Sequence, residues 1–399
     1  MAALDFPAAP TVGQQYTAAG VTWTWDGAKW AASGLSVAYL PLAGGTMSGP
    51  IVLAADPAAA MQAATKQYVD AQVGALVPAM NDNRIINGDM RVNQRGAASG
   101  TANGNTVDRW GFQTNQAGKV SWLQNANGAG GQGFPWSLGA SSSSAYASLA
   151  ADTFQFYQAI EADMVSDFQW GTANAQPVTL SFWAQSSLTG TFSGSIRNYA
   201  ATRSYPFTFA IPAANTWTKV IVTIPGDTGG TWVMSGNAGS LYVGFDLGCG
   251  ANARGPANTW ATTSVAGYIG VPGSVSLVAT NGATFYVTGV KLEIGNVATL
   301  YNRQSLTKSM ADCQRYFQTY GYIPWGGQSS LAGNNFYTGV QYNTLMRVAP
   351  TAALSNQAYN NASGAAANVI QTNCLTLFAP ATAAGWATAA VALTLNAEL

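Results

Sequence analysis

Between residues 178 and 294 the chain repeatedly alternates apolar and polar residues with a period of two. Val178, Leu180 and Phe182 stand on one face of such a run, Val220, Val222 and Ile224 on another, and Leu241, Val243, Phe245 and Leu247 on a third. Residues 284–294 form the last long run of the set. A period of two places successive side chains on opposite sides of a strand, so each run predicts a strand with one buried face. Glycine, serine, asparagine and threonine separate the runs, as in a β-sandwich or jelly roll.

Composition supports the same class. The 399 residues are 48% hydrophobic and only 8% charged, with 44 glycines and 13 tryptophans. That balance favours short strands and tight turns over long charged helices. The predicted fold is mainly β: a small N-terminal region with a helix, a large jelly-roll-like sandwich and a small C-terminal β-domain. Sixteen Lys and Arg oppose sixteen Asp and Glu, so the basic footprint of a nucleic-acid binder is missing and no nucleic-acid partner is expected. The N-terminus lacks a basic segment followed by an apolar core, and no run is long enough to cross a bilayer, so neither secretion nor membrane insertion is expected. With so little charge, burial of apolar surface against copies of itself is the natural expectation.

Histidine is absent, which removes Ser-His-Asp and Cys-His nucleophilic arrangements and every histidine-containing metal site. Paired carboxylates remain as a hydrolytic option, and Glu161, Asp163 and Asp167 cluster in sequence, although an acidic surface segment near Trp170 accounts for them better. Asp227 and Asp246 lie near strand ends, where a calcium ion would fit, but no EF-hand spacing accompanies them. Cys249, Cys313 and Cys374 are far apart and read as reduced, mostly buried thiols. No cofactor, no metal and no catalytic residue is assigned.

Specific motifs sharpen the reading. Residues 10–30, PTVGQQYTAAGVTWTWDGAKW, form a small aromatic hairpin unit carrying Trp23, Trp25 and Trp30. Residues 39–73 read YLPLAGGTMSGPIVLAADPAAAMQAATKQYVDAQV, with Asp56 and Pro57 as an N-cap and first helical residue. A helix is predicted from Pro57 to Val77, offering Met61, Ala64, Tyr68 and Leu76 as a contact stripe. Residues 83–95, NRIINGDMRVNQR, and 106–110, TVDRW, open the folded bulk, with Asn87-Gly88-Asp89 as a turn and Trp110 as a core anchor.

These motifs resemble bacteriophage tail-fibre and receptor-binding proteins. The hairpin unit resembles an N-terminal module that attaches fibres to the particle, and residues 39–73 resemble the fibre repeat. Residues 83–301, with TLSFWAQSS, WTKVIVTIPGD, LYVGFDLGCG and ATFYVTGVKLEIG, resemble a fibre domain whose fold is like that of carbohydrate-binding modules. LTKSMADCQRYFQ (306–318), MRVAPTAALSN (346–356) and the terminal NAEL resemble the helix and distal domain of the same family.

The resemblance implies an attachment module at 1–38, a fibre repeat with a trimerising helix at 39–82, a β-sandwich at 83–304, and a connecting helix with a distal receptor-binding β-domain at 305–399. It implies a homotrimer, mounted on other phage tail or baseplate proteins, that adsorbs to host cell-surface glycan without enzymatic activity. The expected location is the virion tail, after synthesis in the host cytoplasm and release by lysis. A head or baseplate decoration fibre, or a polysaccharide depolymerase, are the alternatives.

Leu306, Met310, Cys313 and Phe317 predict an amphipathic helix over 305–318. In the distal part Tyr320, Tyr322, Trp325, Phe336, Tyr337, Tyr342 and Trp386 are interleaved with Asn, Gln, Gly and Ser. Flat rings beside amides suit a neutral glycan site, although a small β-domain also needs several of these rings in its core.

Overall fold

The structure, a computed structural model, describes residues 5–18, 21–33, 55–58, 63–65, 68–69, 83–126, 128–129, 132–263 and 267–399. The chain forms two compact units, Met1–Val69 and Asp70–Leu399. In the first, strands Gln15–Ala18, Val21–Trp25 and Trp30–Ser33 make an antiparallel sheet. Its face is aromatic: Phe6 stacks on Trp30 at 5.2 Å and meets Trp23 edge-on at 5.5 Å, while Trp25 and Trp30 lie 5.7 Å apart across the turn. Asp26 closes that turn by accepting the N–H groups of Ala28 and Lys29, which hold its carboxyl below the usual range.

The helix expected from Pro57 is not formed at Pro57, Ala58 or 63–65, whereas Tyr68 and Val69 are helical. Thr65 explains the later start. Its hydroxyl accepts from the N–H of Tyr68 and its carbonyl from that of Val69, as a helix cap does, and Asp56 is turned to the Thr65 hydroxyl. Ala64 is exposed and Tyr68 half-buried; Met61 and Leu76, with most of the fibre repeat, lie outside the described residues.

The second unit is a sandwich of antiparallel sheets followed by a smaller pair. One large sheet is ordered Thr218–Ile224, Val178–Ser186, Thr284–Ile294, Ser137–Ser142, Val120–Asn125, Ser99–Gly100. The facing sheet is ordered Ala261–Thr262, Arg203–Ile211, Gly190–Asn198, Gly239–Asp246, Phe154–Glu161, Gly111–Thr114, Gly104–Asn105. The inward alternation positions of both, including Phe112, Phe156, Phe182, Phe207, Phe245 and Phe285, fill one core with Trp110. The NGD segment is a turn, with Asn87 at φ 55°. The Trp110 indole N–H donates to the Asn87 carbonyl at 3.1 Å, so the two opening motifs fold onto each other.

The connecting helix spans Leu306–Gln314, capped by the Ser305 hydroxyl. It is shorter than expected: Leu306 is 57% exposed, and Phe317 begins the strand Phe317–Ser329 instead of ending the helical stripe. Tyr316 and Phe317 are drawn inward because Arg109 and Arg95 lie over their rings at 3.5 and 3.8 Å. Beyond it, Phe317–Ser329, Gly385–Asn396 and Thr351–Asn360 form one sheet, and Asn335–Gln341, Cys374–Pro380 and Ala366–Asn368 another. Leu375, Leu377, Val391, Leu393 and Leu395 are at the core between them.

The two β-domains meet through charge. Glu398 binds Arg95 at 3.0 Å and also pairs with Arg109, while Asp108 faces Arg95 at 3.3 Å. Arg109 is almost wholly buried, and its other amino group donates to the Ala159 carbonyl at 2.5 Å. Removing one partner of such a pair leaves a buried charge uncompensated. Glu398→Ala is therefore expected to lower unfolding stability by about 3 kcal/mol, read from urea titration; a loss under about 1 kcal/mol would show that apolar packing holds the junction instead.

Candidate functional site

A cavity of about 490 Å³ opens on the outer face of the seven-stranded sheet, between Asn103, Gln113, Gln155, Tyr157, Arg197, Tyr199 and Tyr242. The outward alternation positions build it. Phe112, Phe154 and Phe156 point into the core, so Gln113, Gln155 and Tyr157 point out. Register then gathers them: Gln113 pairs with Gln155, Gly244 with Tyr157, and Arg197 with Tyr242.

The rings are arranged as a platform. Tyr199 stacks on Tyr242 at 5.0 Å with 16° between planes, and Tyr157 meets Tyr242 edge-on at 5.7 Å. Two glycines permit this, because a Cβ at Gly111 would enter the Tyr157 ring and one at Gly239 the Tyr199 ring. Burial pushes the Tyr157 and Tyr242 hydroxyls to higher pKa, with the neighbouring Tyr199 adding to the effect on Tyr242, so both stay neutral phenols at pH 7. Arg197 lies 5.3 Å from the Tyr242 ring centre and donates to the Gln155 side-chain oxygen at 2.8 Å. Burial pulls its pKa down.

None of these seven residues was singled out in the sequence. The signal available was the outward run of Gln113, Gln155 and Tyr157, amide and aromatic where a plain solvent face carries Lys, Glu and Thr.

The distal aromatics do not form one site. Trp325 and Phe336 are core residues, where the Trp325 indole donates to the Phe336 carbonyl at 3.3 Å, although Trp325 also borders the recess at Tyr322 and Phe336 the one at Tyr337. Tyr320 is half-buried, its hydroxyl donating to Gln318 at 2.8 Å. Tyr342 packs on the same core, where burial pushes its hydroxyl up to about 12. Tyr322 and Trp386 are 70% and 60% exposed and line a recess of about 420 Å³ with Tyr359 and Asn360. Tyr337, 56% exposed, borders a different, polar recess with Asn334 and Asn335. Trp23, Trp25 and Trp30 are half-buried in the aromatic face of the first unit.

No protein-family model matches the chain, and no curated protein sequence does. Solved structures to which the chain is similar in part include the enzymatically active domain of tailspike protein 4 of bacteriophage CBA120, with a TM-score of 0.31 and 14% identity. That match takes in 54% of this chain and 22% of the tailspike. A putative sugar-binding protein from Bacteroides thetaiotaomicron gives 0.29 and 16%, over 53% of this chain and all of that one. The family 11 carbohydrate-binding module of a Clostridium thermocellum cellulosomal cellulase gives 0.26 and 10%, over 51% and 99%.

The acidic candidates do not converge. Glu161 is buried against Arg315 at 2.9 Å, and Asp167 pairs with Arg84 at 2.6 Å. Asp227 takes a two-pronged contact from Arg203, at 2.6 and 2.9 Å, and a third bond from the Trp232 indole at 3.0 Å. Asp246 accepts the N–H groups of Gly248 and Cys249 and pairs with Arg254 at 3.0 Å. Arginine thus occupies the carboxylates where calcium was considered. Asp227→Ala, which strands Arg203, is expected to cost about 3 kcal/mol, whereas excess EDTA leaves the melting temperature of the wild type unmoved; a drop with EDTA would reveal a cation these contacts do not account for.

Proposed function

We propose that the protein is a non-enzymatic glycan-binding module of a bacteriophage tail fibre and takes its ligand in the tyrosine groove of the sandwich. The observation that carries the reading is the groove itself. Sugar rings have apolar faces and hydroxyl rims; Tyr157, Tyr199 and Tyr242 supply flat surfaces, and Gln113, Gln155, Asn103 and Arg197 supply hydrogen-bonding groups around them. The recess at Tyr322 and Trp386 provides a second, shallower contact in the distal domain. Engagement of Glu161 by Arg315 and of Asp167 by Arg84 supports binding over hydrolysis, with Asp163 left exposed on the surface.

The fibre part of the proposal rests on the sequence motifs at 10–30, 39–73, 83–110 and 306–318. In it the N-terminal unit mounts the chain on a tail or baseplate, and three copies present their grooves together. Avidity then multiplies weak sugar contacts, because neighbouring sites are held at high effective concentration.

Binding of labelled protein to an array of bacterial surface oligosaccharides tests the site. Tyr199→Ala with Tyr242→Ala is expected to weaken binding at least tenfold, about 1.4 kcal/mol, while Trp386→Ala has a smaller effect. If the distal substitution abolishes binding and the groove pair does not, recognition is distal and the groove assignment is wrong.

A further inference from the structure

The hydrogen-bond polarity of the groove defines what kind of sugar fits it. Arg197 has only donors, so the Gln155 group 2.8 Å from it is the side-chain oxygen. That orientation turns the Gln155 amide nitrogen towards Gln113, where it donates to the Gln113 side-chain oxygen. The relay therefore ends on the Gln113 amide nitrogen, at the exposed edge of the groove. Asn103 is oriented in the same sense by an independent contact: its side-chain oxygen accepts the backbone N–H of Thr114 at 2.5 Å, which leaves its amide nitrogen on the groove side. In both cases the donor is chemically unambiguous, being a guanidinium or a backbone amide, so amide orientation follows without further choice.

The groove thus presents two amide N–H₂ groups, a buried guanidinium and neutral phenols, and among the described residues lining it there is no carboxylate. Sugar hydroxyls both donate and accept, so along the Asn103 and Gln113 edge a neutral sugar would use only its accepting half, its own O–H groups being left to the phenol oxygens. A carboxylate only accepts, and hydrogen bonds to an ionised acceptor are roughly twice as strong as neutral ones. We infer that the groove selects an acidic oligosaccharide, one bearing uronate-type carboxylates, whose acid group binds along the Asn103 and Gln113 edge while a ring stacks on the tyrosines. The inference rests on the groove being the glycan site proposed above.

Isothermal titration of the full chain against oligomers of polygalacturonate, alginate and hyaluronan, each beside its carboxyl-reduced twin, tests it. At least one acidic oligomer is expected to bind at least tenfold more tightly than its twin, with affinity falling as salt rises and as pH drops through the sugar's carboxyl pKa. Gln113→Glu and Asn103→Asp keep the acceptor oxygen that Gln155 or Thr114 uses and replace only the outward donor. Each is expected to weaken acid binding at least tenfold with an unchanged thermal melt. Equal binding of the reduced twins, or preference for them, overturns the acidic assignment and leaves the groove as a glycan site. Acid binding that survives Gln113→Glu and Asn103→Asp but is lost in Trp386→Ala also overturns it. If no oligosaccharide binds, acidic or neutral, the glycan reading of the groove fails and this inference fails with it.

Discussion

The buried contact between Arg109 and Glu398 makes the sandwich and the distal domain a single body. Arg109 lies under the surface of the first domain at φ 71°, an unusual conformation for a residue with a side chain, and has almost no access to water. A guanidinium taken out of water costs several kcal/mol unless its donors are matched. Here Glu398 takes one amino group and the Ala159 carbonyl the other, the Tyr316 ring covers its face, and the Nε–H is left without a hydrogen-bond partner among the described residues. Arg95 repeats the arrangement one layer out, with Glu398, Asp108 and the Phe317 ring. Arg347 completes the seal by donating to the carbonyls of Ala397 and Glu398 from one side and of Asn237 from the other. Segments separated by most of the chain are thereby fixed to each other, and any ligand contact made in one β-domain is made in a known orientation to the other.

Much of the sandwich was legible because burial of one strand face leaves a period-two imprint. Residues 218–224 and 284–294 form the strands their alternation predicts, Thr218–Ile224 and Thr284–Ile294. The motifs at 83–95, 106–110, 306–318 and 396–399 supply Arg95, Asp108, Arg109, Tyr316 and Glu398, which all meet at the junction. What the sequence hid was the pairing. A hydrophobic spacing extends the helix to Phe317, but that residue pairs with Asn396 as the first of its strand, with Arg95 over its ring.

Parity explains the distal aromatics. Along Phe317–Ser329 the pairing with Gly385–Asn396 slips between Tyr320 and Ile323. A one-residue slip exchanges the two faces of a strand. Tyr320 therefore packs on the core, Tyr322 faces solvent, and Ile323 and Trp325 face the core again. The slip thus sets Tyr320 apart from Tyr322, while Tyr322, Trp325 and Trp386 still border one recess. The sandwich groove escaped notice for the converse reason: Gln113, Tyr157, Arg197 and Tyr242 come from four strands with nothing in their local sequence to mark them as neighbours, and only sheet register brings them to one place.

Whole-chain charge is a sum and does not say where the charges sit. The acids of the second unit are largely spent inside it. Asp89, Asp108, Glu161, Asp227, Asp246, Glu293 and Glu398 each face an arginine or lysine at 3.4 Å or less. Those pairs are spent on shape, fixing loops against sheets and one domain against the other. The groove on the outer face of the seven-stranded sheet is lined by amides, phenols and one guanidinium. Buried pairs cancel in the total and in the far field, yet a ligand entering the groove meets only what lines it, at distances where a few ångströms decide the interaction. A neutral chain can in this way carry a donor-rich site, and the scarcity of charge elsewhere leaves little on the surface to compete with it.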